Sequence, residues 1–370
     1  MNVDARARAS ARAIDRSALR LDPAVGLDDL LRRHRRQPLQ RAAAATAVAV
    51  LVAVVALWAG VALRGPTPVQ PTLGPITRFR VGPNPVSVAL SPGAAWVLDS
   101  GDDTISRVDP STGRTPEPSA IRAYGVLGTL IFATFADGRL WVVHLQEGSS
   151  GYGISAIDPS TGGEEVTFSV GGAVFEGSGI DGDLAVGAGA VWVALPAGDE
   201  VKRFDAVTGR LRDRIPFPRP TALAMDDRTL WVATADGRLH RLDIDTRAST
   251  VTATTGTVTR IRVGQGGLWL MTLDGKILRL DRRTGRIVAR MPRAFKAADL
   301  AVGAEGVWVY DQHQGTVLRI NPATNRVTRT ISVISQPLVE LSSHVLAVGN
   351  GAVWVVDKAA DTVVRVDPHR

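Results

Sequence analysis

The chain contains no cysteine. That excludes a disulfide framework, a thiolate metal site and the lipid anchor of a lipoprotein, though not export. Lysine is scarce, at four of 43 basic residues. There is no G-x-x-x-x-G-K-[ST] loop, no G-x-S-x-G elbow and no H-E-x-x-H pair, and the six histidines are scattered. The usual marks of P-loop nucleotide binding, of α/β-hydrolase chemistry and of zinc proteolysis are therefore missing. Also missing is a basic patch on the body of the chain. Residues 1–41 carry ten Arg against five Asp, Arg64 adds one charge, and 65–370 hold 32 basic and 31 acidic residues. A nucleic-acid domain concentrates its excess charge on the folded body. Here the surplus sits on a tail, so no nucleic-acid partner is expected.

Long charge-free runs are rare in this sequence, and the one at 42–63, AAAATAVAVLVAVVALWAGVAL, stands out. Its 22 residues would span about 33 Å as a helix, enough for a bilayer core. Trp58 lies near one end, where interfacial aromatics sit. Arg32, Arg33, Arg35, Arg36 and Arg41 crowd the N-terminal side, while Arg64 and the Pro-rich linker 64–75 follow. The positive-inside rule then predicts a single-pass cell-membrane protein, with a cytoplasmic N-terminus and residues beyond 64 outside. The alternative is a cleaved signal peptide, for which Gly60-Val61-Ala62 offers a small-residue site. Within the tail, DPAVGLDDLLRRHRR (22–36) reads as a short helix. Asp22 is its cap, Pro23 suits its first turn, and Asp28–Arg32 and Asp29–Arg33 are favourable i,i+4 pairs. It is a juxtamembrane anchor, or alternatively a docking helix for a cytoplasmic protein.

From residue 76 the chain repeats. Trp recurs at 96, 141, 192, 231, 269, 308 and 354, spaced 38 to 51 residues apart. Each lies in an apolar run such as AAWVLD or GVWVYD. A second strand ending in an acid or amide follows, such as VKRFD (201–205) or VLRIN (317–321). Then come an Asx-type turn, as in Asp281-Arg-Arg-Thr-Gly-Arg286, a third strand, and a strand leading to the next Trp. Four short strands per unit of about 40 residues is the period of a β-propeller. The last unit lacks its outermost strand, and a spare one, ITRFRVG (76–82), precedes the first. The expectation is an all-β, seven-bladed propeller over 76–370, closed by pairing 76–82 with the strand at 363–367.

The units at 93–114 and 351–367, G-x-V-W-V…R-V-D-P-S-T-G-R, resemble bacterial propeller repeats of the YVTN, NHL and virginiamycin B lyase-like type. The resemblance implies an extracytoplasmic propeller with binding, scaffolding or lyase roles. The lyase members use a His and acid set with a divalent metal, and no such set maps onto this chain residue by residue. The layout of basic tail, one membrane helix and outer repeat domain resembles exported proteins of high-GC actinobacteria, some working beside sigma factors.

The recurring Trp residues fit inter-blade core better than carbohydrate stacking, and the R-x-D pairs fit turns and blade contacts better than catalysis. Departures from the repeat are more informative. The residue three after each Trp runs Asp99, His144, Leu195, Thr234, Thr272, Asp311, Asp357. In a closed ring Asp311, Asp357, Asp99 and His144 would form one arc on the rim. Such an arc suits Ca²⁺, Mg²⁺ or a cationic ligand. The plainer reading is Asp turn chemistry. Longer loops at 144–153, 171–182 and 332–344 add Tyr152, Phe175, Glu176 and His344 as candidate ligand contacts, and Tyr310 and His313, beside Asp311, join them. No residue is assigned a catalytic role. The functional expectation is a module binding an envelope protein or a small ligand at the propeller face. The alternatives are a metal-dependent lyase or hydrolase, and a signalling regulator whose tail binds a cytoplasmic partner.

Overall fold

The computed structural model describes residues 76–110, 129–146, 151–171, 183–291, 297–334 and 344–369, together with the backbone of the short strand Ala120–Arg122. The chain divides into two units, Met1–Pro68 and Val69–Arg370, and all described residues lie in the second. The expected membrane helix at 42–63, the tail helix and the linker fall outside the described residues.

The described chain forms seven antiparallel sheets of four strands each. In blade 4 the strands Pro220–Asp226, Thr229–Thr234, Arg238–Asp243 and Ser249–Thr254 follow in chain order from the innermost outward. The other blades repeat this order, and the second strand of every blade carries the Trp. The seventh blade takes its outer strand from the other end of the domain. Ile76–Arg80 pairs antiparallel with Thr362–Val366, in the register Ile76↔Val366 to Arg80↔Thr362. Closure is reinforced by Val81 N donating to Asp361 O at 3.1 Å and Asn84 N donating to Asp361 Oδ1 at 2.9 Å.

Hydrophobic clusters straddle the seams between blades. One joins Trp141, Ile154 and Phe168 of blade 2 to Val191, Val193 and Phe204 of blade 3. Another joins blade 6, blade 7 and blade 1 through Trp308, Trp354 and Val97. All seven Trp are at most 1% exposed. They are core, and truncating one to Ala would cost about 3–5 kcal/mol.

The R-x-D motif is explained by register. In six blades the residue directly opposite the Trp is Arg, as in Trp96↔Arg107 and Trp192↔Arg203. Blade 2 has Ala156 there. Four of these guanidinium groups lie 5.1–6.0 Å from the Trp ring centroid, within cation–π range. The Asp two residues later caps a turn. Asp205 Oδ1 accepts from Val207 N and Thr208 N, and Gly209, at φ +67°, donates back to Asp205 O. Asp243, Asp281 and Asn321 do the same.

Candidate binding face and central channel

Every inner strand starts, and every Trp-bearing strand ends, at one face of the ring. The segments 123–128, 172–182, 292–296 and 335–343 are bracketed by an outer strand and the next inner strand, whose adjoining ends lie at this face. The segment 147–150 is bracketed by the second and third strands of blade 2 at the same face. The opposite face carries the short Asx turns just described.

The residues three beyond each Trp are at this face, but they are not exposed. Asp99 and His144 are 0% exposed, Asp311 2% and Asp357 6%. Each is engaged locally. Ser106 Oγ donates to Asp99 Oδ2 at 2.6 Å, and burial pushes the Asp99 carboxyl up to about 7. His144 Nε2 meets Ser155 Oγ at 3.2 Å and Nδ1 meets Leu145 O at 3.1 Å; burial lowers its pKa. A Cβ on Gly153 would lie 2.4 Å from His144 Cε1, so this ring requires glycine opposite it. Asp311 Oδ1 accepts from His313 N at 2.9 Å and Gln314 N at 3.3 Å, and Asp357 accepts from the backbone of Ala360, so both cap their hairpins.

The structure brings Tyr310, Asp311 and Asp357 into one neighbourhood. Burial and these two carboxylates push the Tyr310 phenol up to about 12. Tyr152 is buried in the seam between blades 2 and 3, and His313 is exposed. Phe175 and Glu176 lie outside the described residues. Among the described residues no three His, Asp or Glu gather in metal-ligating geometry.

His344 lies elsewhere, at the mouth of the central channel, and there the face has its densest charge. Pairing with the Trp defines an equivalent residue on each inner strand. In five blades it is alanine: Ala89, Ala185, Ala224, Ala301 and Ala347. Blade 2 has Thr134 and blade 5 has Arg262. These strands line a channel of about 460 Å³. Toward the mouth, five inner strands carry a register shift, for example between Val258 and Arg260 and between Ala297 and Asp299. Such bulges re-aim side chains beside binding sites.

The polar groups at this level bridge blades. Asp183 accepts from Leu184 N at 2.8 Å and from Leu223 N of blade 4 at 3.0 Å. Asp299 accepts from Leu300 N at 2.8 Å and from Leu346 N of blade 7 at 3.0 Å. Ser87 Oγ donates to His344 O at 3.3 Å and accepts from Ala133 N of blade 2 at 3.2 Å. Arg260 Nε stands 3.4 Å from Asp299 Oδ1, an ion pair without hydrogen-bond geometry. The His344 ring stacks on Phe132 with centroids 4.1 Å apart, and its Nε2 is 3.8 Å from Asp183 Oδ1. Burial, with Arg260 and Arg262 nearby, holds His344 neutral, well below the usual imidazole pKa. Burial also raises the Asp183 carboxyl, against the pull of Arg262 and Arg260.

The sequence reading singled out His344 but passed over Asp183, Arg260, Arg262 and Asp299. A signal was present. VTRIRVG (258–264) and AADLAVG (297–303) put charges on strands that are elsewhere mostly apolar, and an Arg stands where five units have Ala.

No family model and no curated protein sequence matches the chain. Solved structures do match in fold. The β-propeller domain of Cps50 (Swd1) from Myceliophteria thermophila aligns with TM-score 0.61 at 13% identity, over 79% of this chain and 99% of that one. U3-55K aligns with TM-score 0.59 at 14% identity, over 79% and 98%. BamB from Moraxella catarrhalis aligns with TM-score 0.50 at 16% identity, over 80% and 95%. The chain is a β-propeller. At these identities the likeness carries the fold and nothing finer.

Proposed function

We propose that this protein is a membrane-tethered, extracytoplasmic binding module, which holds an envelope protein on the face of the propeller where the inner strands begin. The observation that carries this reading is the one-sidedness of the ring. The strand ends bracketing most of the longest connections, and the blade-bridging Asp183, Asp299 and His344, share one face. On the other face, blades 3 to 6 have near-identical five-residue turns closed by their own Asp or Asn, and blade 1 alone among the third-to-outer connections has a longer one, 109–119. In repeat proteins, per-repeat insertions gather on the face that binds. The apolar run 42–63 and the Arg-rich tail support the tether. The likeness to solved propellers carries the fold alone, so the nature of the partner rests on the face itself.

The test is residue-specific photocrosslinking in cells. Probes replace His313, which is exposed on the proposed face, or Val207, which is 69% exposed in a turn on the opposite face. The reading expects one discrete crosslinked protein from position 313 and none from 207. It further expects that crosslink to vanish when 335–343 are replaced by a short turn, while the melting temperature stays within a few degrees. Crosslinks of equal yield from both positions, or from neither, overturn it.

A further inference from the structure

Arg262 makes no ion pair within 4 Å among the described residues, although its charge reaches the Asp183 carboxyl. The two carboxylates at its level are committed to the frame, each accepting one N–H from its own blade and one from the next. Arg260 takes the ion pair with Asp299, whereas Arg262 enters none among the described residues. Its guanidinium donates one hydrogen bond, from Nη1 to Ile261 O at 2.9 Å. An arginine carries five N–H donors in a planar fork, so most of this one's capacity remains open. It is half-buried and lines the channel.

Its surroundings concentrate that charge. The equivalent wall positions in five blades are alanine, which leaves the lumen open, and the counter-charge that reaches Arg262, Asp183, already accepts two backbone N–H groups. The cavity of about 460 Å³ falls in the range of small-ligand sites. His344 Nδ1, buried at the mouth, has no hydrogen-bond partner among the described residues. His344 is also held at φ +65°, a left-handed conformation that a non-glycine residue adopts at a cost of roughly 1 kcal/mol or more. A buried ring nitrogen left open beside a half-buried guanidinium puts two uncommitted polar groups at one end of the channel.

We propose that the central channel is a binding site for a small oxyanion, a carboxylate or phosphate group on a low-molecular-weight ligand, gripped by Arg262 with His344 at the mouth. Guanidinium matches either group with two parallel N–H···O bonds, and in a narrow lumen of low dielectric those bonds exceed their strength in water. The inference does not depend on which protein docks on the face.

The experiment titrates the purified full-length chain, in detergent, with inorganic phosphate and separately with citrate, by calorimetry and by thermal shift. Arg262→Ala is the decisive variant, because alanine is what five blades already carry there, so the fold should tolerate it. Arg290→Ala, on an exposed outer strand, is the control. The expected result is saturable binding of at least one anion, weakened tenfold or more by Arg262→Ala and unchanged by Arg290→Ala, with a matching loss of the anion-induced rise in melting temperature. Phosphate success with citrate failure identifies a phosphate site, and the reverse a carboxylate site. Absence of saturable heat, equal affinity in Arg262→Ala, or an equal effect from sodium chloride at the same ionic strength overturns the proposal.

Discussion

At the scale of single residues, the seven equivalent positions carry two kinds of information. Where all blades agree, as at the Trp, the residue serves packing, and that was legible from spacing alone. Where blades disagree, the strand-end residues that the sequence suggested as an open arc are buried. Asp311 and Asp357 turned out to cap their own hairpins, which a strand-end Asp does routinely. Asp99 differs. It is sealed against Ser106 and Gly82, where even a Cβ on Gly82 would lie 2.8 Å from the Asp99 side chain. Its carboxyl is pushed up to about 7, first of all by burial. A carboxyl raised on folding binds its proton more tightly in the folded state than in the unfolded one. Its contribution to stability is therefore greatest below its unfolded pKa of about 4 and is lost as pH rises to about 7. Three units at about 1.4 kcal/mol each set an upper bound of roughly 4 kcal/mol. Asp99→Asn cannot ionise. Its urea midpoint should exceed the parent's at pH 8 and converge on it only below about pH 4. A difference that does not vary with pH would refute this account.

At the scale of elements, the turn chemistry and the strand period were legible because both are local: an Asp or Asn, a Thr, then a left-handed Gly or Asn. What stayed hidden was the inner-strand level of Asp183, Arg260 and Asp299. Their partners sit on other blades, 39 to 47 residues away for Asp299–Arg260 and Asp299–Leu346, and no local pattern announces a contact of that range. The seventh blade is the weak joint of the ring, since one of its strands comes from the far end of the domain. Phe79 secures it, at 8% exposure and 5.9 Å from the Trp354 ring. Phe79→Ala should cost about 3 kcal/mol. It should also speed amide exchange in Thr362–Val366, while Arg238–Asp243 of blade 4 keeps its protection relative to global unfolding. Uniform loss of protection across both strands would mean that the ring opens as one unit and that the joint is not special.

At the scale of the whole molecule, charge is divided along the chain in a way the fold does not require. Residues 1–41 carry a net of +5, and 65–370, about seven times longer, a net of +1. A propeller needs no basic leader, but a chain inserting once into a membrane uses one to hold its start in the cytoplasm. The proposed topology therefore assigns 1–41 and 65–370 to opposite sides of a bilayer. The absence of cysteine makes this directly measurable. A single cysteine introduced as Ser17→Cys or as Val207→Cys, the latter 69% exposed, is the only thiol in the protein. In spheroplasts, a membrane-impermeant maleimide should label the Val207→Cys protein at once, and the Ser17→Cys protein only after permeabilisation. Both should stay with the membrane through alkaline extraction. If the leader is removed by cleavage, the Val207→Cys protein is instead released to the medium. Labelling of Ser17→Cys with protection of Val207→Cys would invert the topology and put the binding face on the wrong side of the membrane for an envelope partner.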